Sequence, residues 1–177
     1  MSNEPSPPPA ERGGRDPSDL LQAVDDKARA LARRLLAETR FGALAVLEPG
    51  TGHPLASRTA VAPDVDGAPL MLMSGLAAHT TALAADPRCS LLLGEPGSGD
   101  PLAYPRVTVI GVARRLERDT EAGAIARERY LALHPKAALY ADFGDFAFWR
   151  LDVLRASLNA GFGRAYALRP EDVLHGA

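Results

Sequence analysis

The 177 residues make a chain of single-domain size, and a chain of this length buries roughly 70% of the surface its unfolded form exposes, so no metal or disulfide staple is needed for a core. Twenty basic against 22 acidic side chains leave a net charge of −2, which gives no electrostatic drive toward nucleic acid or an anionic membrane. Cys89 is the single cysteine, no apolar run approaches the roughly 18 residues of a membrane span, and no apolar signal core stands at the N-terminus, so a cytoplasmic protein is expected.

Residues 1–17 carry five prolines and no large apolar residue after Met1, so they are expected to form a disordered tail ahead of one domain over 18–177. Asp16 followed by Pro17 suits a helix start. Leu20, Val24, Ala28, Leu31 and Leu35 then recur at spacings of three and four, which predicts an amphipathic helix ending near Gly42. Beyond Gly42 the period changes to short runs rich in Leu and Val, over 43–47, 56–65, 69–74, 89–93, 106–116 and 148–158. Each has strand length, and Gly, Pro and Asp punctuate most of the gaps. Val65-Asp66-Gly67-Ala68 predicts a hairpin with a tight two-residue Asp-Gly turn at positive φ. Gly111, inside a β-rich run, marks a bulge or a close backbone approach.

Two helices interrupt the strands: a short one over 76–85, stopped at Asp86-Pro87, and one over 120–133 with Ala122, Ile125, Ala126, Tyr130 and Leu133 on one face. Residues 94–101 read as a surface loop. Six strands with helices only at intervals do not make a βαβ alternation. They predict an α+β fold, a six-stranded antiparallel barrel flanked by helices.

Most enzyme classes leave no trace. There is no phosphate-binding loop ending in Lys-Ser/Thr, no Gly-x-Ser-x-Gly elbow and no His-Glu-x-x-His, and the four histidines are far apart, so no metal site is expected. An anion site is the exception. Ser74 to Thr80 sits where a strand becomes a helix, so unpaired amides and the positive end of a dipole face one spot. Ser57-Arg58-Thr59 lies on the strand that the Asp-Gly hairpin folds back alongside, which brings a forked guanidinium toward the same helix end. The same residues admit plainer readings: Ser74 as an N-cap, Arg58 as a solvated surface group, His79 as a capping histidine, and the aromatics near the C-terminus as core or dimer packing.

The ordered set Ser57-Arg58-Thr59, Asp66-Gly67, Leu70 to Ser74, Leu76-Ala77, His79-Thr80 and Asp86 to Leu91 resembles the pyridoxamine 5'-phosphate oxidase-like FMN-binding split-barrel family. Pro105 to Thr108, Gly111, Asp142 to Phe146 and Gly161 to Ala165 resemble its haem-utilisation (HugZ-like) branch. The resemblance covers residues 20–170 and implies a homodimer with two FMN molecules in grooves between subunits. It implies Arg58 and Ser74 as phosphate ligands, with His79 and Thr80 beside them. Ser57, Thr59 and the backbone around Leu72 and Met73 would line the ribityl chain and ring, and Arg106 or Thr108 would reach the flavin from the partner subunit, with Gly161-Phe162-Gly163 near the site. The implied activity is a flavin-dependent oxidoreductase of unassigned substrate. The alternative it implies is a haem-utilisation protein that degrades, stores or senses haem. The basic and histidine pattern with which pyridoxamine-phosphate oxidases grip substrate near the C-terminus is not seen, which points away from vitamin B6 oxidation.

Overall fold

The computed structural model describes residues 21–161 and 163–176. The expected tail, the helix start at Asp16-Pro17, Leu20 and Phe162 lie outside the described residues. The strands are β1 (Phe41–Leu47), β2 (Pro54–Pro63), β3 (Pro69–Ser74), β4 (Arg88–Leu93), β5 (Arg106–Leu116), β6 (Phe146–Asn159) and β7 (Ala165–Leu168). They hydrogen-bond in the order β3-β2-β1-β4-β5-β6-β7, and β3 also pairs with β6. That last pairing closes six antiparallel strands into a barrel and leaves β7 as an added strand beside β6. The expected α+β split barrel is the fold observed, with four helices: α1 (Asp26–Glu38), α2 (Ala78–Ala85), α3 (Glu121–Leu133) and α4 (Pro170–Val173).

Alternation along β3 separates two cores. Met71 and Met73 point into the barrel with Leu44, Leu91, Val107, Val109, Leu151 and Leu158. Leu70 and Leu72 point outward against Ala126 and Tyr130 of α3 and against Phe148. Every residue of β3 before Ser74 is buried, as a strand covered on both faces must be.

Helix α1 starts later than its periodicity predicts. Leu21 bridges to Ala165, and the Gln22 amide donates to the Ala165 carbonyl at 2.9 Å, so these residues run extended along β7. The Asp25 carboxylate then accepts from the Ala28 amide at 2.8 Å and caps the helix there. Its buried stripe is Ala28, Ala32 and Leu36, with Leu31 and Leu35 only partly covered.

The β2–β3 turn is also longer than expected. Asp64 and Ala68 are its closing pair, the Gly67 amide donates to the Asp64 carbonyl at 3.0 Å, and only Gly67 takes a positive φ, of 90°. This is a three-residue loop with glycine in the left-handed position, which spares Asp66 that strain. Arg150 of β6 clamps the loop, donating to Asp64, to Asp66 at 2.6 Å and to Asp152 at 2.9 Å.

Gly111 is a close approach. Pairing skips from Ile110–Arg155 to Gly111–Val153, so Leu154 is the extra residue of a bulge on β6. A Cβ on Gly111 would meet the Asp152 carbonyl oxygen at 2.1 Å. Among the described residues no helix is long and apolar enough to cross a membrane.

Candidate functional site

Strand β3 ends at Ser74, and the chain crosses Gly75 to Ala77 before α2 begins. The expected capping role of Ser74 is not the one observed. The N-cap of α2 is Ala77, which has no side-chain cap bond. Ser74 Oγ instead accepts from the Leu76 amide at 3.1 Å and donates to Asp145 Oδ2 at 2.7 Å. The Gly75 amide donates to the Asp145 carbonyl at 2.6 Å, so the segment before β6 is tied to the entrance of α2.

A cleft of about 380 Å³ opens at this junction. Strand β2 supplies Arg58, Thr59 and Ala60, β3 supplies Leu72, Met73 and Ser74, and α2 contributes Ala77 and His79 from its start. Tyr130 of α3 with Tyr140 and Phe146 completes the wall, the last two rings lying 5.0 Å apart. The cleft therefore has an aromatic and aliphatic side facing a polar end at which the positive pole of α2 emerges.

Arg58 is the only Lys or Arg lining the cleft, and among the described residues it makes no ion pair. Its guanidinium lies 5.4 Å from the centre of the Phe41 ring, a stacking that orients it without neutralising it. His79 Nδ1 sits 3.1 Å from Ser57 Oγ, and burial pushes the imidazole below its ordinary value of 6.5, so the ring is neutral at pH 7. Tyr130 is buried under the floor, and that burial raises its phenol well above its ordinary value, which keeps it protonated.

Of the nine residues the sequence singles out, Arg58, Thr59, Leu72, Met73, Ser74 and His79 line this one cleft. Ser57 adjoins it through His79. Thr80, one residue along α2, is buried and faces a separate hollow on the other side of Met73. Arg106 opens β5, where its guanidinium donates to the carbonyls of Leu102 at 3.1 Å and Tyr104 at 3.3 Å, and it does not line the cleft of its own chain. Gly161 sits in the turn between β6 and β7. Sequence reasoning missed Tyr130, Tyr140, Phe146 and Asp145 as site residues. A larger hollow of about 530 Å³ lies at α1 and α4, but its Arg29 and Arg33 are already bonded to Asp172 and to backbone carbonyls.

Residues 28–160, spanning the barrel from α1 to the end of β6 and including the whole cleft, match the family model of pyridoxamine 5'-phosphate oxidase. The chain belongs to that family. Among its relatives is the non-canonical heme oxygenase HOZ, chloroplastic, of Arabidopsis thaliana, 37% identical over 140 residues, which are 75% of this chain and 42% of that protein. The solved structure of a heme binding protein from Mycobacterium smegmatis is 37% identical, with a TM-score of 0.77 over 85% of this chain and 61% of its own. ChuZ of Campylobacter jejuni, at 19% identity and a TM-score of 0.72 over 89% of this chain and 65% of its own, shares the fold. The chain spans less than two thirds of each of these three relatives. Two of them carry haem in their names, in keeping with the haem-utilisation branch that the motifs resemble.

Proposed function

We propose that the cleft at Arg58 and the start of α2 holds FMN, and that the protein is an FMN-dependent oxidoreductase that works as a homodimer with the flavin at the subunit interface. One observation carries this reading: an uncompensated guanidinium, the positive pole of α2 and an apolar wall from β3 meet around a single cavity. A phosphate-bearing aromatic ring system needs those three features together. Arg58 and the amides at the start of α2 hold the phosphoryl group, while Leu72, Met73 and Phe146 exclude water from the ring. His79, kept neutral by burial and fixed by Ser57, serves as a hydrogen-bonding partner and adds no second fixed charge. Ser57 and Thr59 border the ribityl chain. Arg106, which among the described residues donates to the Leu102 and Tyr104 carbonyls, is assigned to the flavin bound mainly by the other subunit. Bound flavin supplies the hydride or electron transfer, so no separate acid–base pair is demanded of the protein.

A second reading, haem binding without oxidase turnover, has two observations in its favour. The two relatives at 37% identity are named for haem. The Asp145 carboxylate also accepts from Ser74, a residue of the cleft, and a negative charge next to Ser74 opposes a phosphate dianion more than a single propionate. Parallel titrations separate the two readings. Saturable quenching of FMN fluorescence, with faster oxygen consumption than free reduced FMN, supports the flavin enzyme. A Soret shift with haemin and no flavin quenching replaces it with the haem reading. A site shared across subunits also loses flavin affinity when the protein is diluted below its dimer dissociation constant, and a monomer with full affinity contradicts the shared site.

A further inference from the structure

The segment 140–146, which leads from the 3-10 turn Pro135–Leu139 into β6, supplies the aromatic side of the cleft through Tyr140 and Phe146. Within it the Phe143 amide donates to the Tyr140 carbonyl at 3.0 Å and the Phe146 amide to the Phe143 carbonyl at 3.1 Å. A side chain from outside the segment gathers the rest. Arg118, in the turn between β5 and α3, donates from Nη1 to the Asp142 carbonyl at 2.9 Å and from Nη2 to the carbonyls of Ala141 at 3.2 Å, Phe146 at 2.6 Å and Phe143. Arg127 of α3 adds a forked pair to the Asp142 carboxylate, at 3.0 and 2.7 Å. At its far end the segment grips the entrance of α2, where Asp145 accepts from the Gly75 amide and from Ser74 Oγ.

We propose that Arg118 is a positioning residue for the ring end of the cleft, a role that rests on the reading of that cleft as a flavin site. Arg118 does not itself line the cleft, so it acts through the carbonyls it holds. Backbone carbonyls in an irregular segment need partners, and a guanidinium with its fan of donors can serve several at once. A wall fixed before the ligand arrives spares binding the cost of ordering it, and the Tyr140 and Phe146 rings, 5.0 Å apart, are such a wall. The phosphate end is built differently, from Arg58 on β2 and the start of α2. One guanidinium therefore holds the anion while another, remote from the ligand, shapes the surface against which the ring lies.

The full-length parent, Arg118→Met and Arg118→Lys are titrated with FMN and with riboflavin, which lacks the phosphate, after thermal melts have shown each protein folded at the assay temperature. Arg118→Met is expected to weaken both flavins at least fivefold and by the same factor, so the preference for the phosphorylated ligand is kept. Arg58→Ala instead reduces that preference. Arg118→Lys, which keeps the charge but reaches fewer carbonyls, falls between parent and Arg118→Met, and it carries the test if Arg118→Met does not fold. In a Phe146→Ala background the effect of Arg118→Met shrinks below twofold, because the ring it positions is gone, whereas a merely structural loss stays additive. An additive loss in the double variant overturns the proposal, and so does a loss confined to FMN. A parent that binds neither flavin overturns the flavin reading and this proposal with it. A parent that binds FMN no better than either Arg118 variant overturns the role of Arg118 alone.

Discussion

His79 shows how a single residue changes character on folding. His79 is expected beside the phosphate ligands, and burial lowers its pKa while Ser57 occupies Nδ1, so Arg58 is the fixed positive charge of the cleft. Because the folded value lies below the unfolded 6.5, the stability linked to this ring is present above pH 6.5 and lost as pH falls through the folded value. An NMR titration of the His79 ring is expected to give a midpoint below 6.5, and a midpoint above it contradicts the burial argument. That Ser57, Arg58 and Thr59 come close to the start of α2 was legible because a strand leads to a hairpin and then to that helix. The bond that defines Ser74 was not, because Asp145 is 71 residues away in sequence. Tyr130 carried a helical-face signal that fits the core equally well, and only the packing of α3 on β3 places it beneath the cleft.

At the level of elements, the six barrel strands were readable because each is a short Leu- and Val-rich run bounded by turn residues. Strand β7 was not. Its four residues, two of them alanine, carry little β propensity and owe their conformation to pairing with β6 and to Leu21 alongside. That same pairing shortened α1 from its N-terminal side, a case of tertiary structure overriding helical period.

Gly111 tests the β5–β6 seam. Gly111→Ala forces a methyl onto the Asp152 carbonyl, and a loss of about 1–3 kcal/mol in denaturant unfolding is expected, with near-neutral behaviour contradicting the bulge geometry. Arg150 tests the β2–β3 hairpin. Its side chain is 16% exposed and pairs with Asp64 and Asp66, so Arg150→Met leaves two half-buried carboxylates without their guanidinium and costs about 1–3 kcal/mol at pH 7. The hydrogen bond from Arg150 holds Asp66 below its ordinary 3.8. Stability from this pair is therefore complete above about pH 4 and lost as pH falls below it, toward the folded value. In acid unfolding the variant is expected to lose that part of its pH dependence, and an unchanged acid limb would sink the assignment.

On the scale of the whole molecule, barrel closure is what makes the site. Pairing of β3 with β6 fixes the end of β3 beside Phe146, and the loop before β6 then reaches Ser74 through Asp145. The clamped hairpin sets β2 against β3, so Arg58 arrives at the mouth of α2 from a strand that is distant in sequence. The cleft is thus a product of topology acting on ordinary residues, which is why no conventional catalytic motif announces it.

The most direct test is an FMN fluorescence titration of the parent protein against Arg58→Ala, with both variants checked for equal thermal stability. The account predicts saturable quenching by the parent and an affinity about 10- to 150-fold weaker in the variant, the equivalent of about 1.5–3 kcal/mol for one charged hydrogen-bonding partner. Equal FMN affinity in the two proteins, or no quenching by the parent, contradicts it.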